Sequence, residues 1–396
     1  MQNWHKTTWI LILVLTHNHT LWGQITNRLP CGQDFFEQSW EIPSPTSLDE
    51  KNDHSSIQRS QLVIPVVIHV VWNKYAENIS DELISTQIDA LNRDFNAQNQ
   101  DLNRVPNEFK SRISNIGISF CLASKSPSGL PTNGIVRVET NIEDIGIKDF
   151  LFFDSTGGSN AWDTEKYLNI WVANTGAFLS GYGTYPGLTA PEKTGVVVNP
   201  KYFGVNKHPK YGLGRTLVHE VGHYFGLNHV WANDPLCEED DGVTDTPRQE
   251  YEHIGCPNYP QASCTESDMF MNFMDYVDDP CMLMFTAGQK ERIWANIDVF
   301  RPTLLSNTID YYCLRDNQSS DVTFSISPNP LTDVMTITFP NPDNGLVRVQ
   351  VFDMLGRLRK NDSILADSRL EMRVEDLDSG VYLVKIGRNT KVVVKI

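Results

Sequence analysis

His219-Glu220-Val221-Gly222-His223-Tyr224-Phe225-Gly226-Leu227-Asn228-His229 is the stretch from which the rest of the chain can be organised. On a helix, residues four apart share a face, so His219 and His223 present two imidazoles on one side and can bind one zinc ion. Glu220 sits beside them, placed to take a proton from water that such an ion has acidified. Gly226 tolerates a positive φ, which ends the helix and turns the chain back. His229 then arrives as a third ligand. Three protein ligands leave one coordination position open, which separates a catalytic zinc from a structural one. Thr216, Leu217, Val218, Val221 and Phe225 supply an apolar flank for the helix. His69, His208 and His253 lack such company and read as core or surface histidines.

The pattern from His219 to His229 is the metzincin signature, whose required partner is a methionine turn downstream. Asn272-Phe273-Met274-Asp275-Tyr276 fits, with Met274 as a hydrophobic floor under the zinc. With Asp241-Gly242-Val243-Thr244-Asp245-Thr246-Pro247 and Met284-Phe285-Thr286-Ala287-Gly288-Gln289, the chain resembles the pappalysin family, in its bacterial cytophagalysin branch, over roughly residues 60–305. The resemblance implies a secreted zinc metalloendopeptidase built on a metzincin domain of α/β (α+β) class, with a mixed twisted sheet and an active-site helix. It implies that the Tyr276 phenol stabilises the tetrahedral intermediate, and that Cys237 pairs with Cys264 and Cys256 with Cys281. It also implies a calcium site at Asp241, Thr244 and Thr246. The surrounding run from Glu238 to Thr246 is dense in the hard oxygen donors that calcium prefers, with Asp245 free to brace the loop instead.

Working outward, Leu62 to Trp72 is a β-branched run that predicts a core strand, followed by a helix capped by Ser80 with Ile84, Ile88, Leu91 and Phe95 on one face. Further strands are expected at 118–123, 135–139, 168–173 and 194–199. Strands mixed with a long helix indicate an α/β or α+β domain, spanning 61–313. A polar linker at 314–321 leads to short alternating strands divided by turns over 322–396, which predict a small all-β sandwich. Ser327-Pro328-Asn329-Pro330, the run from Val351 to Arg357 and the run from Leu377 to Val384 are similar to the sorting domain of type IX secretion cargo. That similarity implies the type IX machinery as a partner, and export through the periplasm to the medium or the cell surface.

The N-terminus agrees with export. His5 and Lys6 precede an apolar run from Trp9 to Leu15, too short for a transmembrane helix but suited to a signal peptide ending near Gly23. Residues 24–60 are polar and read as a pro-segment. In an exported protein, seven cysteines point to disulfides, and the odd number leaves at least one thiol. Cys31, in Pro30-Cys31-Gly32, is the best candidate: a thiolate in the fourth zinc position would displace the catalytic water and keep the enzyme latent. Pairing of Cys31 with Cys121 or Cys313, or inhibition by Asp34, are the competing readings. The chain of 396 residues, 40% hydrophobic, is ample for a core. Its 33 basic and 49 acidic residues give a net charge of −16, which argues against nucleic acid as a partner. No apolar run is long enough to span a membrane. The family resemblance implies protein or peptide substrates. A non-catalytic adhesin on a zinc-stabilised protease fold is the rival class, and the intact Glu220 weighs against it, because a structural site needs no such carboxylate.

Overall fold

Leu62–Trp72 forms β1, and nearly every residue of it is buried. Its unbroken β-branched run, rather than an alternating one, follows from its position in the sheet. Strands Ile118–Leu122 (β2) and Ile135–Glu139 (β3) pair in parallel with the first and second halves of one edge of β1, and Leu168–Ala173 (β4) pairs in parallel with the other edge. Val196–Val198 (β6) extends the sheet in parallel, and Gly181–Gly183 (β5) closes it as an antiparallel edge strand, giving the order β2-β1-β4-β6-β5. A parallel strand covered on both faces needs apolar side chains on both. The structure is a computed structural model that describes residues 30–32, 62–177, 179–306, 313, 323–339, 346–354, 357–365, 369–386 and 389–396. The expected signal peptide at 1–23, the linker at 314–321 and all of the pro-segment except Pro30, Cys31 and Gly32 lie outside the described residues, as does Asp34.

Among the described residues, two α-helices pack against this sheet and a third lies beyond them. Asp81–Phe95 (α1) starts where expected: the Ser80 hydroxyl accepts a hydrogen bond from Leu83 N at 3.3 Å, and Ile84, Ile88, Leu91 and Phe95 are buried. Arg215–Tyr224 (α2) carries the first two histidines. All ten of its residues are buried, so it runs through the core rather than lying on it with one apolar flank. Ala287–Phe300 (α3) is a helix the sequence reading left uncalled, although Thr286 and Gln289 form a capping box at its start.

Buried charge sets where α2 begins. The Arg215 guanidinium donates to Asp101 at 2.7 Å, to Asp94 at 3.3 Å and to the Asp279 carbonyl at 2.9 Å. The Asp279 carboxylate accepts from Leu213 N at 2.9 Å and Arg215 N at 3.2 Å, capping the helix from a distant segment. Such networks add little net stability but fix one arrangement, here that of α2 against the segment following Tyr276.

The strands Ser325–Ser327 (β7), Val334–Thr338 (β8), Leu346–Asp353 (β9), Leu358–Leu365 (β10), Arg369–Arg373 (β11), Gly380–Ile386 (β12) and Asn389–Lys395 (β13) form two antiparallel sheets, β10-β9-β12-β13 and β11-β8-β7. They share a separate core that includes Phe324, Met335, Ile337, Val351, Met372 and Val384. The Ser-Pro-Asn-Pro motif has a structural explanation. Asn329 donates from Nδ2 to the Val392 carbonyl at 3.1 Å and accepts from Val394 N at 2.9 Å, so one side chain imitates a strand residue along the outer edge of β13. The exposed edge of the last strand is thereby covered.

Disulfides join Cys237 to Cys264 and Cys256 to Cys281, the pairs implied by the resemblance. A third joins Cys121 to Cys313, which leaves Cys31 as the one free thiol among the described residues and removes its two proposed partners.

Candidate metal centre

The geometry begins with the two histidines one turn apart on α2. The His219 Nδ1 lies 2.8 Å from the Phe273 carbonyl, and the His223 Nδ1 lies 2.8 Å from the Leu227 carbonyl. A carbonyl can only accept, so each Nδ1 carries the proton and each Nε2 turns an unprotonated lone pair inward. Gly226, at φ 84°, reverses the chain so that His229 reaches the same point. The Nε2 atoms of His219 and His229 each lie 3.1 Å from that of His223. Lone pairs facing each other at this distance repel unless a cation lies among them. Three imidazoles and a thiolate are a donor set that suits zinc, so the residues present fit the ion that the sequence implied.

Cys31 supplies the thiol. Its Sγ and one ligand atom from each of the three histidines all lie within 4.8 Å of one another, and all four residues are buried. The thiol also donates to Glu220 Oε2 at 3.0 Å. Tyr276 meets the same residue from another side: its hydroxyl accepts from Cys31 N at 3.1 Å and donates to the Cys31 carbonyl at 3.4 Å. Two backbone bonds hold the segment on the sheet edge, from Gly32 N to the Gly181 carbonyl at 2.8 Å and from Ser180 N to the Pro30 carbonyl at 3.0 Å.

Two glycines explain how the parts approach so closely. A Cβ on Gly222 would lie 2.4 Å from Met274 Sδ, so the glycine in the histidine motif is the notch into which Met274 fits under α2. A Cβ on Gly183 would lie 2.2 Å from the Glu220 carbonyl, so β5 can lie against α2 only because that position is bare. This edge strand is not signalled by the sequence, since two of its three residues are glycines, which are depleted from strands.

The acidic loop is divided. Asp241 and Thr246 are buried and meet, with Thr246 Oγ1 donating to Asp241 Oδ1 at 2.7 Å, while Thr244 is exposed. Asp241 Oδ2 is buried with no hydrogen-bond partner among the described residues. Burial pushes this carboxyl up to about 7, so its ionised form is disfavoured without a counter-charge. That orphan oxygen fits a hard cation. Asp245 braces the loop, accepting from Thr286 Oγ1 at 2.6 Å and Gly288 N at 2.9 Å at the start of α3.

Several residues around the site were not anticipated. Tyr185 donates to Asn228 Oδ1 at 2.9 Å, and Asn228 Nδ2 donates to the Asp241 carbonyl at 3.2 Å, joining the third-ligand loop to the acidic loop. Arg292 grips the same two loops through the Gly226 and Asp241 carbonyls, at 2.8 and 3.1 Å. Trp231 lies against His229. No sequence spacing signals these contacts. Of the remaining histidines, His208 is exposed, and His69 is buried between Ser159 and Asn169, where burial lowers its pKa to about 4. His253 is buried beside Asp268 at 2.9 Å; burial opposes its charged form, but the carboxylate outweighs it and raises its pKa. All three are scaffold or surface groups, as expected.

Comparison with known proteins places this geometry in a family. A family model described as pregnancy-associated plasma protein-A matches residues 153–298, and one described as a secretion system C-terminal sorting domain matches residues 325–396. An extracellular metalloprotease of Arthroderma gypseum is 30% identical over 242 residues, covering 59% of this chain and 72% of that protein. Extracellular metalloprotease 1 of Coccidioides posadasii is 29% identical over 281 residues, covering 67% and 88%. Among solved structures, mature mirolysin of Tannerella forsythia in complex with a cleaved peptide is 42% identical, with a TM-score of 0.60, covering 62% of this chain and 96% of that one. A promirolysin mutant from the same organism is also 42% identical, with a TM-score of 0.59, covering 62% of this chain and 83% of that one.

Proposed function

Since the chain belongs to the pappalysin family of metalloproteases and is secreted with a C-terminal sorting domain, we propose that it is a zinc endopeptidase held latent by its own pro-segment. The observation that carries this reading is the convergence of three histidine Nε2 atoms, with Glu220 on the same helix and a thiol at the fourth corner. A zinc ion held by His219, His223 and His229 would supply Lewis acidity toward a water molecule and the scissile carbonyl. Glu220 takes the proton as water attacks, then delivers it to the departing amine. The Tyr276 hydroxyl, once released from Cys31, donates to the oxygen on which negative charge develops. Met274 fills the space beneath the histidines and keeps water from that side. The substrate backbone occupies the edge of β5 that Pro30 to Gly32 covers in the precursor. The cleaved peptide bound by mature mirolysin supports a peptide as substrate.

The chain divides on this reading into a signal peptide at 1–23, a pro-segment at 24–60, a catalytic domain at 61–313, a linker at 314–321 and a sorting domain at 322–396 that addresses the type IX machinery. Turnover of casein by the processed chain tests both the activity and the division. Full-length protein and protein ending at Leu314 should cut alike, and both should stop when a chelator removes zinc. Only the full-length chain should leave the cell. A processed, zinc-loaded chain that cuts neither casein nor a peptide library would favour the adhesin reading.

The second cation is a structural calcium at Asp241 and Thr246, with Thr244 as a further donor. It relieves the buried Asp241 carboxylate and holds the loop that Asn228 and Arg292 tie to the third ligand. At a hundredfold excess over its Kd, a ligand of the folded state adds about 2.7 kcal/mol, which for a domain of this size raises Tm by roughly 5–10 °C. Asp241→Asn should cancel the rise. An unchanged Tm on adding calcium to chelated wild type would remove calcium from the account.

A further inference from the structure

Backbone carbonyls aim the rings of His219 and His223, and the His229 ring lies flat on an indole. The Trp231 and His229 rings are 4.1 Å apart at an interplanar angle of 8°. Trp231 also meets Tyr276 nearly edge-on, at 4.7 Å and 68°, and Tyr276 meets His229 at 5.0 Å and 75°. Three aromatic rings thus close on one another, and the indole is 6% exposed.

The backbone fixes the indole relative to the other two rings. Val230 N donates to the Met274 carbonyl at 3.4 Å, and Ala232 N donates to the Gln249 carbonyl at 3.1 Å. The Gln249 side chain donates in turn to Asp275 Oδ2 at 2.7 Å, and Asp275 Oδ1 accepts from Tyr276 N at 2.6 Å. The residues on either side of Trp231 are therefore stitched to the two residues that precede Tyr276.

We infer that Trp231 is a positioning residue for both the third metal ligand and Tyr276. Rotation of the His229 ring out of its plane would drive ring atoms into the indole face, so the stack holds Nε2 toward the other two histidines before any ion arrives. The near-perpendicular contact limits where the Tyr276 ring can settle once Cys31 has left. Groups that orient a metal ligand from outside the coordination sphere are worth about 10- to 100-fold in affinity or activity. The inference rests on the zinc-peptidase reading, but its test does not.

The test is zinc affinity by competition with a fluorescent chelator, in the full-length chain carrying Cys31→Ala so that only histidines hold the ion. Trp231→Phe keeps a flat ring against His229. Trp231→Leu and Trp231→Met keep an apolar side chain in the slot without a ring, and two of them guard against one failing to fold. Zinc should bind about tenfold more weakly in the ring-free variants and within about threefold of the parent in the Phe variant. After removal of the pro-segment, casein kcat should fall in the same order while KM stays within about twofold, because the substitutions leave the substrate-binding edge untouched. Tm of the chelated proteins should not follow that order. Equal zinc affinity in the Phe and ring-free variants would overturn the inference. A parent that binds zinc but, once its pro-segment has been removed, does not cut casein would sink the peptidase reading and leave the affinity comparison standing.

Discussion

Glu220→Ala is expected to abolish hydrolysis while leaving zinc in place. General base and acid steps contribute about 10²–10⁴-fold each way, and Glu220 serves both, so activity should fall by at least about 10³-fold. Its carboxylate is buried next to the histidines but its Oε2 faces Cys31 Sγ at 3.0 Å, and the three converging Nε2 atoms do not depend on it. Metal analysis should therefore still return about one zinc per chain, the count expected of a three-histidine site. Alanine leaves a small void where the side chain packs against Gly181, whose added Cβ would lie 3.1 Å from Glu220 Cγ. Turnover near the wild-type rate would sink the mechanism. Lost turnover together with lost zinc would place Glu220 among the ligands instead.

The second large effect is on latency. A tethered ligand acts at an effective concentration of about millimolar, so even a micromolar thiolate would leave about one precursor in a thousand open. Cys31→Ala removes the thiol and keeps the backbone bonds from Gly32 to Gly181, from Ser180 to Pro30 and between Cys31 and Tyr276. The unprocessed variant should then cut casein at least about tenfold faster than unprocessed wild type, with the remaining backbone contacts accounting for any activity still withheld. Removal of the pro-segment should bring both to the same rate. Equal latency of the two precursors would take the switch away from the thiol and return it to the backbone contacts or to Asp34.

The three clustered histidines, the carboxylate and the tyrosine were legible because each is set by local periodicity or by a short motif. Four residues make one helical turn, so His219 and His223 must share a face whatever surrounds them, and Gly226 must turn the chain for His229 to return. The long strand β1 and helix α1 were legible for a similar reason: their hydrophobic patterns are those of a doubly covered parallel strand and a helix with one buried face. The strand β5 was not legible. Gly183 is required by the approach of α2, a neighbour 37 residues further on (Gly183 to Glu220) that no local pattern announces, and Gly181 first by the Val197 carbonyl of β6. The helix α3 had a capping box but a weakly patterned body, and its buried polar residues answer to the Met274 turn, through Gln289 and Asn272, and to the end of α2, through Asn296 and the Phe225 carbonyl, rather than to a single sheet face.

By itself, then, the sequence determined the metalloprotease family, which three histidines and which neighbouring carboxylate come together, the two-part organisation of the chain and its address outside the cell, because these depend on residue type and short spacing. The tertiary structure alone decided which cysteine stays free, since pairing depends on which Cα atoms approach to within about 6 Å. Cys121 and Cys313 do so at 5.6 Å across 192 residues. It alone brought Cys31 to the histidines and to Glu220, split the acidic loop into buried Asp241 and Thr246 and exposed Thr244, and laid Trp231 on His229. Apart from the Trp231–His229 stack, which is local in sequence but fixed by ties to Met274 and Gln249, each of these is a contact between segments distant in sequence, or a degree of burial set by such contacts. Side-chain chemistry makes them favourable, but only the path of the whole chain makes them meet.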